Sequence, residues 1–226
     1  MTSSDTLGEL LPYPTYYRPR RGESRKYRWI ALIGILLCSS LSASTLDVFL
    51  TNIENNTLQA EFTLTISESA AQPMNYPGSI CMQGNKFLLS MFDTEAAYDG
   101  KTLYIYNVSN DELTLSHPTE GELLEANPFL FAKALVDECN VAERSNKNGS
   151  ETIITLTPKD PSTGIQRFTL RVQRAENTKE SIYLPLSIEI KEGKQVTTLT
   201  LKQPQYISKT VSYRLDYPNA YLNDLR

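Results

Sequence analysis

The stretch Gln59 to Ser67, QAEFTLTIS, sets Phe62, Leu64 and Ile66 in alternation with Glu61, Thr63, Thr65 and Ser67. Successive side chains of a strand point to opposite faces, so this period of two describes a strand that is apolar on one side and wet on the other. The preceding residues behave differently. In TLDVFLTNIEN, from Thr45, the apolar residues fall at 46, 49, 50 and 53, the spacing of one helical face, which predicts a short amphipathic helix feeding directly into the strand.

The alternation recurs along the chain. Phe168, Leu170 and Val172 alternate with Arg167, Thr169, Arg171 and Gln173; Ile188 and Ile190 flank Glu189; Val211, Tyr213 and Leu215 alternate with Ser212, Arg214 and Asp216. Between such segments lie Gln83-Gly84-Asn85, Asp99-Gly100, Ser109-Asn110-Asp111, Asn148-Gly149 and Glu192-Gly193, each suited to closing an antiparallel hairpin. The expectation is a meander with one oily face. In YDGKTLYIYN, residues 98–107, the turn is followed by a strand that sets Leu103 and Ile105 on the oily face and Tyr104 and Tyr106 on the other, with their hydroxyls in water.

The long interruption is GELLEANPFLFAKALVDECN, Gly121 to Asn140. Asn127 is placed to cap a helix beginning at Pro128, because its side chain accepts from free first-turn amides while proline lacks the amide that would be orphaned. Phe129, Leu130, Ala132, Leu135, Val136 and Cys139 give that helix an apolar side. Two short helices cover a one-sided sheet of about ten strands less tightly than a second sheet would. A curved sheet around helices, with room left for a ligand, is therefore expected; a fully packed core is the alternative.

The first 28 residues carry Arg18, Arg20, Arg21, Arg25, Lys26 and Arg28 and are interrupted by Pro12, Pro14 and Pro19. After them, WIALIGILLC (Trp29 to Cys38) and SSLSAS read as a secretory signal with a long basic leader, residues 1–44, cleaved near Ala43 or Ser44. The apolar run is short of the roughly 20 residues of a comfortable span. A retained membrane anchor is the alternative. Lipidation at Cys38 is disfavoured by Leu37, since that reaction needs a small residue before the cysteine.

Six of the 22 basic and three of the 26 acidic residues lie at or before Ser44, leaving 16 and 23 after it, a net of −7. A mature domain this acidic, without a basic cluster, is a poor nucleic-acid binder. Cys81 and Cys139 either pair or remain buried free thiols. His117 is the single histidine, no metal-ligand spacing occurs, and neither a GxSxG elbow nor a phosphate-binding glycine loop is present. Asp99, Asp111 and Asp160 sit with turn residues and are expected to bond the local backbone. The chain reads as a non-enzyme without a cofactor.

Several segments together resemble the periplasmic outer-membrane lipoprotein carrier family, the LolA type: the N-terminal helix, GSICMQGNKFLLSM (78–91), YDGKTLYIYN with VSNDELTLSHP, NPFLFAKAL, LTPKD (156–160), QRFTLRV and the terminal YLNDLR. They span most of residues 45–226. The resemblance implies an α+β, mostly β fold: an unclosed antiparallel half-barrel with short helices covering its concave apolar face. It also implies a periplasmic, monomeric carrier of lipoprotein acyl chains, which takes cargo from an inner-membrane exporter complex and delivers it towards an outer-membrane acceptor. The wall residues it suggests are Leu64, Ile66, Ile80, Met82, Leu88, Leu103, Ile105, Leu170, Val172, Ile188 and Ile190, lidded by the helix of Phe129 and Leu130. A regulatory protein-interaction module on the same half-barrel is the alternative function. At one place the pattern departs: where such carriers have an arginine tying lid to sheet, this chain has Gly84. Lys86 nearby is not equivalent, because an ammonium cannot make the forked bonds of a guanidinium. Either apolar contacts alone hold the lid, or the cargo differs.

Overall fold

A computed structural model describes residues 43–69, 71–176 and 181–226 of the chain. The expected export signal lies outside the described residues except for Ala43 and Ser44. Helix α1, Thr45–Asn55, begins at an N-cap where Ser44 and Asp47 bond reciprocally, the capping box that satisfies two first-turn donors at once. Glu143 reinforces this start, its two carboxylate oxygens accepting from the backbone amides of Thr45 (3.0 Å) and Leu46 (2.9 Å). An acidic group at a helix N-terminus also complements the helix dipole. The face predicted to be apolar is the buried one, through Leu46, Phe49 and Ile53.

The strands are β1 (Thr57–Glu68), β2 (Met74–Gln83), β3 (Lys86–Met91), β4 (Thr94–Tyr98), β5 (Leu103–Asn107), β6 (Glu112–Ser116), β7 (Cys139–Ser145), β8 (Glu151–Pro158), β9 (Ile165–Arg174), β10 (Tyr183–Glu192), β11 (Gln195–Ile207) and β12 (Tyr221–Asp224). They form one twelve-stranded sheet in the order β12-β6-β5-β4-β3-β2-β1-β11-β10-β9-β8-β7. Every pairing is antiparallel except β12 with β6. Two meanders, β1 to β6 and β7 to β11, are thus joined side by side where β11 pairs with β1. The result is the unclosed, curved sheet with few short helices that the residues led us to expect.

This order dictates where the helices go. β7 is one edge of the sheet and β6 lies next to the opposite edge strand, β12, so the chain between them has to cross nearly its full width. The crossing holds α2 (Glu120–Ala126) and α3 (Pro128–Leu135). α2 was not anticipated, although Thr119 and Glu122 spell its capping box: Thr119 Oγ1 accepts from the Glu122 amide (3.3 Å) and Glu122 Oε2 accepts from the Thr119 amide (2.7 Å). α3 starts at Asn127 as expected but ends earlier, and Cys139 opens β7 instead of lying on the helix.

The main core is the concave side, built by Leu46, Phe49, Leu58, Phe62, Met82, Phe87, Phe129, Leu156, Phe168, Leu170, Val172 and Ile188 among others. Phe49 and Phe129 bring α1 and α3 together at a ring separation of 6.1 Å. The exposed Lys133–Glu54 pair (3.3 Å) spans the same two helices.

On the convex side the structure corrects three expectations. Val211 to Leu215 forms no strand; residues 208–217 run over the sheet without joining its ladder. Their alternation reports one-sided burial, because Tyr213 is buried and Leu215 packs on Ala97, Tyr104, Leu113 and Leu115. Tyr104 and Tyr106 are consequently covered instead of wet. Tyr106 stacks on Tyr217 with ring centroids 3.6 Å apart, and Tyr104 is buried. Leu88, expected on the concave wall, faces this second cluster as well.

Candidate functional site

The concave core is not filled throughout. Beneath the junction of α2 and α3 lies a cavity of about 400 Å³, within the ~300–1,000 Å³ usual for small-molecule sites. Phe62 and Leu64 of β1 and Ile80 of β2 form part of its wall. Leu89 and Met91 of β3 continue it, as do Ile188 and Ile190 of β10 and Thr197 and Leu199 of β11, and Ala126 and Pro128 roof it. The wall is made by register: Phe62 opposes Leu201, Leu64 opposes Leu199, and Ile80 opposes Leu89, so alternate residues of neighbouring strands share one face. No charged side chain lines this cavity, and Thr197 brings its one side-chain hydroxyl. A hollow of about 420 Å³ adjoins it across Pro128 and Ile190, lined also by Leu124, Phe131 and Glu192.

Why a void exists here follows from the lid's geometry. α2 is seven residues long and α3 eight, and the chain changes direction between them at Asn127. Short elements meeting at an angle leave small side chains, Ala126 and Pro128, over the broadest part of the sheet. Gly78 adds depth. A Cβ built there would lie 2.4 Å from Phe62 Cζ and 2.6 Å from the Ser90 carbonyl oxygen, so the bare glycine is what allows Phe62 to lie flat against β2.

The structure divides the expected wall residues. Leu64, Ile80, Ile188 and Ile190 line the cavity. Ile66 lies on the same face one step further along β1, outside it. Met82, Leu170 and Val172 belong to solid, fully buried core, and Phe129, buried as well, borders the cleft beside α3. Leu103 packs partly buried on that core, and Ile105, on the same face, is 38% exposed. Leu130 is not over the cavity but in a separate cleft with Leu50, Gln83, Gly84, Lys86 and Lys133. Ala126 and Pro128, at the α2–α3 junction, lie over this cavity, and Phe129 and Leu130 border the separate cleft. Leu89, Met91, Leu199, Ala126 and Pro128 also line the cavity and were not among the expected wall residues. Leu199 was legible, since Leu199 and Leu201 alternate with Thr198 and Thr200; Leu89 was hidden by KFLLSM, where apolar residues occupy both faces.

Gly84 turns the β2–β3 hairpin at φ +57°, a conformation that favours glycine. Its amide donates to the Ile53 carbonyl of α1 at 2.9 Å, and Gln83 Nε2 donates to the Asn55 carbonyl at 3.2 Å. Main-chain and amide bonds thus tie helix to sheet at the place where an arginine was missed.

Cys81 and Cys139 are both free. The pairing allowed by the sequence is not made, for a geometric reason: Cys139 is buried in the concave core, whereas Cys81 lies in a groove on the convex side with Gln59, Ser79 and Leu88. Burial pushes both thiols above their ordinary pKa, with Glu138 adding to the effect at Cys139. Asp99 and Asp160 bond local backbone as expected, Asp99 accepting from the amides of Lys101 (3.0 Å) and Thr102 (2.9 Å) and Asp160 from that of Ser162 (2.8 Å). Asp111 instead accepts from the Tyr106 hydroxyl at 2.9 Å. Burial alone would raise the Asp99 carboxyl; those amides and Arg214, at 3.0 Å, outweigh it and hold it below its ordinary value. Tyr217 donates to Glu95 at 2.6 Å, and this bond leads the causes that push its phenol up to about 12. These groups fasten the C-terminal segment to the convex face. Among the described residues no three His, Cys, Asp or Glu side chains gather as a metal-ligand set, and no helix is long and apolar enough to cross a membrane.

Comparison with known proteins places this geometry in context. No curated protein sequence matches the chain. Among solved structures, an uncharacterized conserved protein from Thermus thermophilus covers 80% of this chain and 96% of its own at a TM-score of 0.51 and 11% identity, a likeness of fold. A LolA superfamily protein from Nitrosomonas europaea covers 74% and 96% at 0.38 and 12% identity. The lipoprotein LppX from Mycobacterium tuberculosis covers 75% and 96% at 0.41 and 12% identity. The sequence pattern described as outer membrane lipoprotein carrier protein LolA matches residues 46–194, from the first turn of α1 to the β10–β11 hairpin. The chain belongs to the LolA family of outer membrane lipoprotein carrier proteins.

Proposed function

We propose that this protein shields the acyl chain of a lipoprotein in the cavity under the α2–α3 junction and carries it through the periplasm. It takes the cargo from an inner-membrane exporter complex and yields it to an outer-membrane acceptor. The observation that carries the reading is the cavity itself, about 400 Å³ with an almost wholly apolar wall, in a chain of a carrier family.

The energetics suit carriage better than storage. Each CH₂ withdrawn from water contributes about 0.8 kcal/mol, so an open, ready cavity would hold a long chain too firmly to release it. Here a lid already occupies the concave face, and cargo has to displace part of it. Breaking the packing between lid and sheet on loading offsets part of the apolar gain, which leaves the net affinity low enough for transfer to a more apolar acceptor. Met91 and the aliphatic residues around it repack readily about chains of different shape. The volume accepts one chain, so multiply acylated cargo requires the lid to move and the hollow beyond Pro128 to join.

The test is mass spectrometry of lipids and lipoproteins copurifying with the protein from its native cell envelope, with binding of a fluorescent acyl probe to the refolded protein alongside. Copurifying lipoprotein and saturable probe binding are expected. A well-folded protein that binds no acyl probe, or that copurifies with one protein partner and no lipid, overturns the proposal.

A further inference from the structure

Four apolar side chains stand exposed along one margin of the sheet, where β1, β3 and β5 end and β2, β4 and β6 begin: Phe92 (65%), Met74 (52%), Val108 (52%) and Ile105 (38%). The turns that carry them are held together. Tyr76 meets the Phe92 ring edge-on at 4.8 Å and donates to Met74 Sδ at 3.1 Å, and the Val108 amide donates to the Asp93 carbonyl at 2.7 Å. Phe92 occupies the first position of a two-residue hairpin turn at φ +58°, where glycine is at ease and an aromatic residue is strained. Neither backbone preference nor burial accounts for a phenylalanine there.

This margin continues the cavity wall. Leu64 and Met91 line the cavity; Tyr76 opposes Leu64, Met74 opposes Ile66, and Phe92 follows Met91, so the apolar concave face runs on from the cavity to the exposed rim. The chemistry of the rim points to what covers it. Residues 74–76, 91–93 and 105–110 hold no lysine or arginine, and their one carboxylate, Asp93, accepts from Ser109 Oγ at 2.7 Å. An anionic surface or peptide gains nothing here. With about 200 Å² for a wholly free side chain of this size, the four expose roughly 400 Å², half of the ~800 Å² a side of a standard protein interface. Small apolar turn tips at the mouth of an acyl cavity suit the interface of a lipid bilayer, where buried apolar area suffices for binding. Resting on the reading that the cavity takes an acyl chain, we propose that this rim docks on a neutral bilayer surface, with Met74, Phe92 and Val108 entering the lipid, so that the chain passes between bilayer and cavity without crossing water.

The full chain holds one tryptophan, Trp29, so Trp29→Phe combined with Phe92→Trp puts the only indole on the rim. Trp29→Phe with Ile153→Trp puts it at an exposed mid-sheet position on the convex face, as the control. On vesicles of phosphatidylcholine brominated in its acyl chains, emission from position 92 should fall about twofold relative to unbrominated vesicles, while that from position 153 holds. Replacing part of the lipid by phosphatidylglycerol should not deepen the quenching. Phe92→Gly suits the turn, so its urea midpoint should hold or rise. Transfer of an anthroyloxy-labelled acyl chain from this variant to phosphatidylcholine vesicles should nevertheless slow about tenfold, the share of one partly buried phenyl ring, with the probe's affinity for the protein unchanged. Absent quenching at 92, equal quenching at both positions, or an unchanged transfer rate in Phe92→Gly overturns the inference and leaves acyl binding standing. A blue shift at 92 that grows with protein concentration and needs no lipid marks a protein neighbour on the rim and overturns it as well. A folded wild-type protein that binds no acyl probe removes acyl binding, and the inference with it.

Discussion

Replacing Gly78 by alanine tests how the cavity wall is packed. In a strand interior this change is ordinarily favourable by roughly 0.5–1 kcal/mol, because alanine loses less backbone entropy on folding. Here the added methyl would meet Phe62 Cζ at 2.4 Å, Phe62 Cε2 at 2.8 Å and the Ser90 carbonyl oxygen at 2.6 Å. Phe62 is 3% exposed and borders the cavity, which is where the ring has room to retreat. The carbonyl cannot retreat, because Ser90 lies in β3, whose register with β2 pairs Gly78 with Met91. Overpacking of this kind costs about 1–3 kcal/mol and should reverse the usual sign. With a urea slope of roughly 2 kcal/mol per molar, the midpoint of Gly78→Ala should fall by about 1 M. Adding Phe62→Leu removes the ring clash and leaves the carbonyl clash, so the double variant should lose less stability than the two single changes combined. A midpoint at or above that of the wild type for Gly78→Ala, or strict additivity in the cycle, would refute the packing argument.

Filling the cavity should separate binding from stability: Leu64→Trp places an indole from a half-exposed wall position into the void, and acyl-probe affinity should drop at least about tenfold with the urea midpoint held within about 0.5 M. The convex strap should respond to acid. Asp99 has its carboxyl held below the ordinary 3.8, so its contribution is fully present above that value and is lost as the pH falls through it and below. Near-ultraviolet circular dichroism of the Tyr106–Tyr217 stack should weaken over that range, and Asp99→Asn should show the weaker signal already at pH 7. Thiol titration of residues 45–226 produced on their own should find two free cysteines, Cys81 reacting under native conditions and Cys139 after unfolding; a single slow phase of both, or none, contradicts their placement on opposite faces.

Which parts of this molecule can be read from residues alone depends on how one-sided each element is. α1 and β1 are unambiguous because only one face of each is apolar. The hairpins follow from turn chemistry, and Asn127-Pro128 spells a helix start. Reading fails where both faces are apolar: in KFLLSM the concave Phe87, Leu89 and Met91 compete with convex Leu88, and the choice rests on residues 208–220, far along the chain, covering the convex side. The same cover makes Val211 to Leu215 alternate without pairing. Of the expected wall residues, those on strands crossing beneath the lid border the cavity, whereas Met82, further along β2, and Val172, on β9, lie in solid core. Periodicity reports which face a residue is on. Whether that face is filled or hollow is decided by elements remote in sequence, here the kinked crossing at Asn127.

The side-by-side joining of the two meanders at β1 and β11 also bears on how the chain reaches its native state. Within each meander consecutive strands pair through short turns, so both halves can organise early from local contacts. Leu64 and Leu199 meet only when about 135 residues of intervening chain are closed into a loop. This seam crosses the cavity wall, with Phe62 and Leu64 on one side and Leu199 on the other. The binding surface therefore does not exist in either half alone. It requires the β1–β11 seam to close, the pairing with the largest loop-closure cost of those that build this wall.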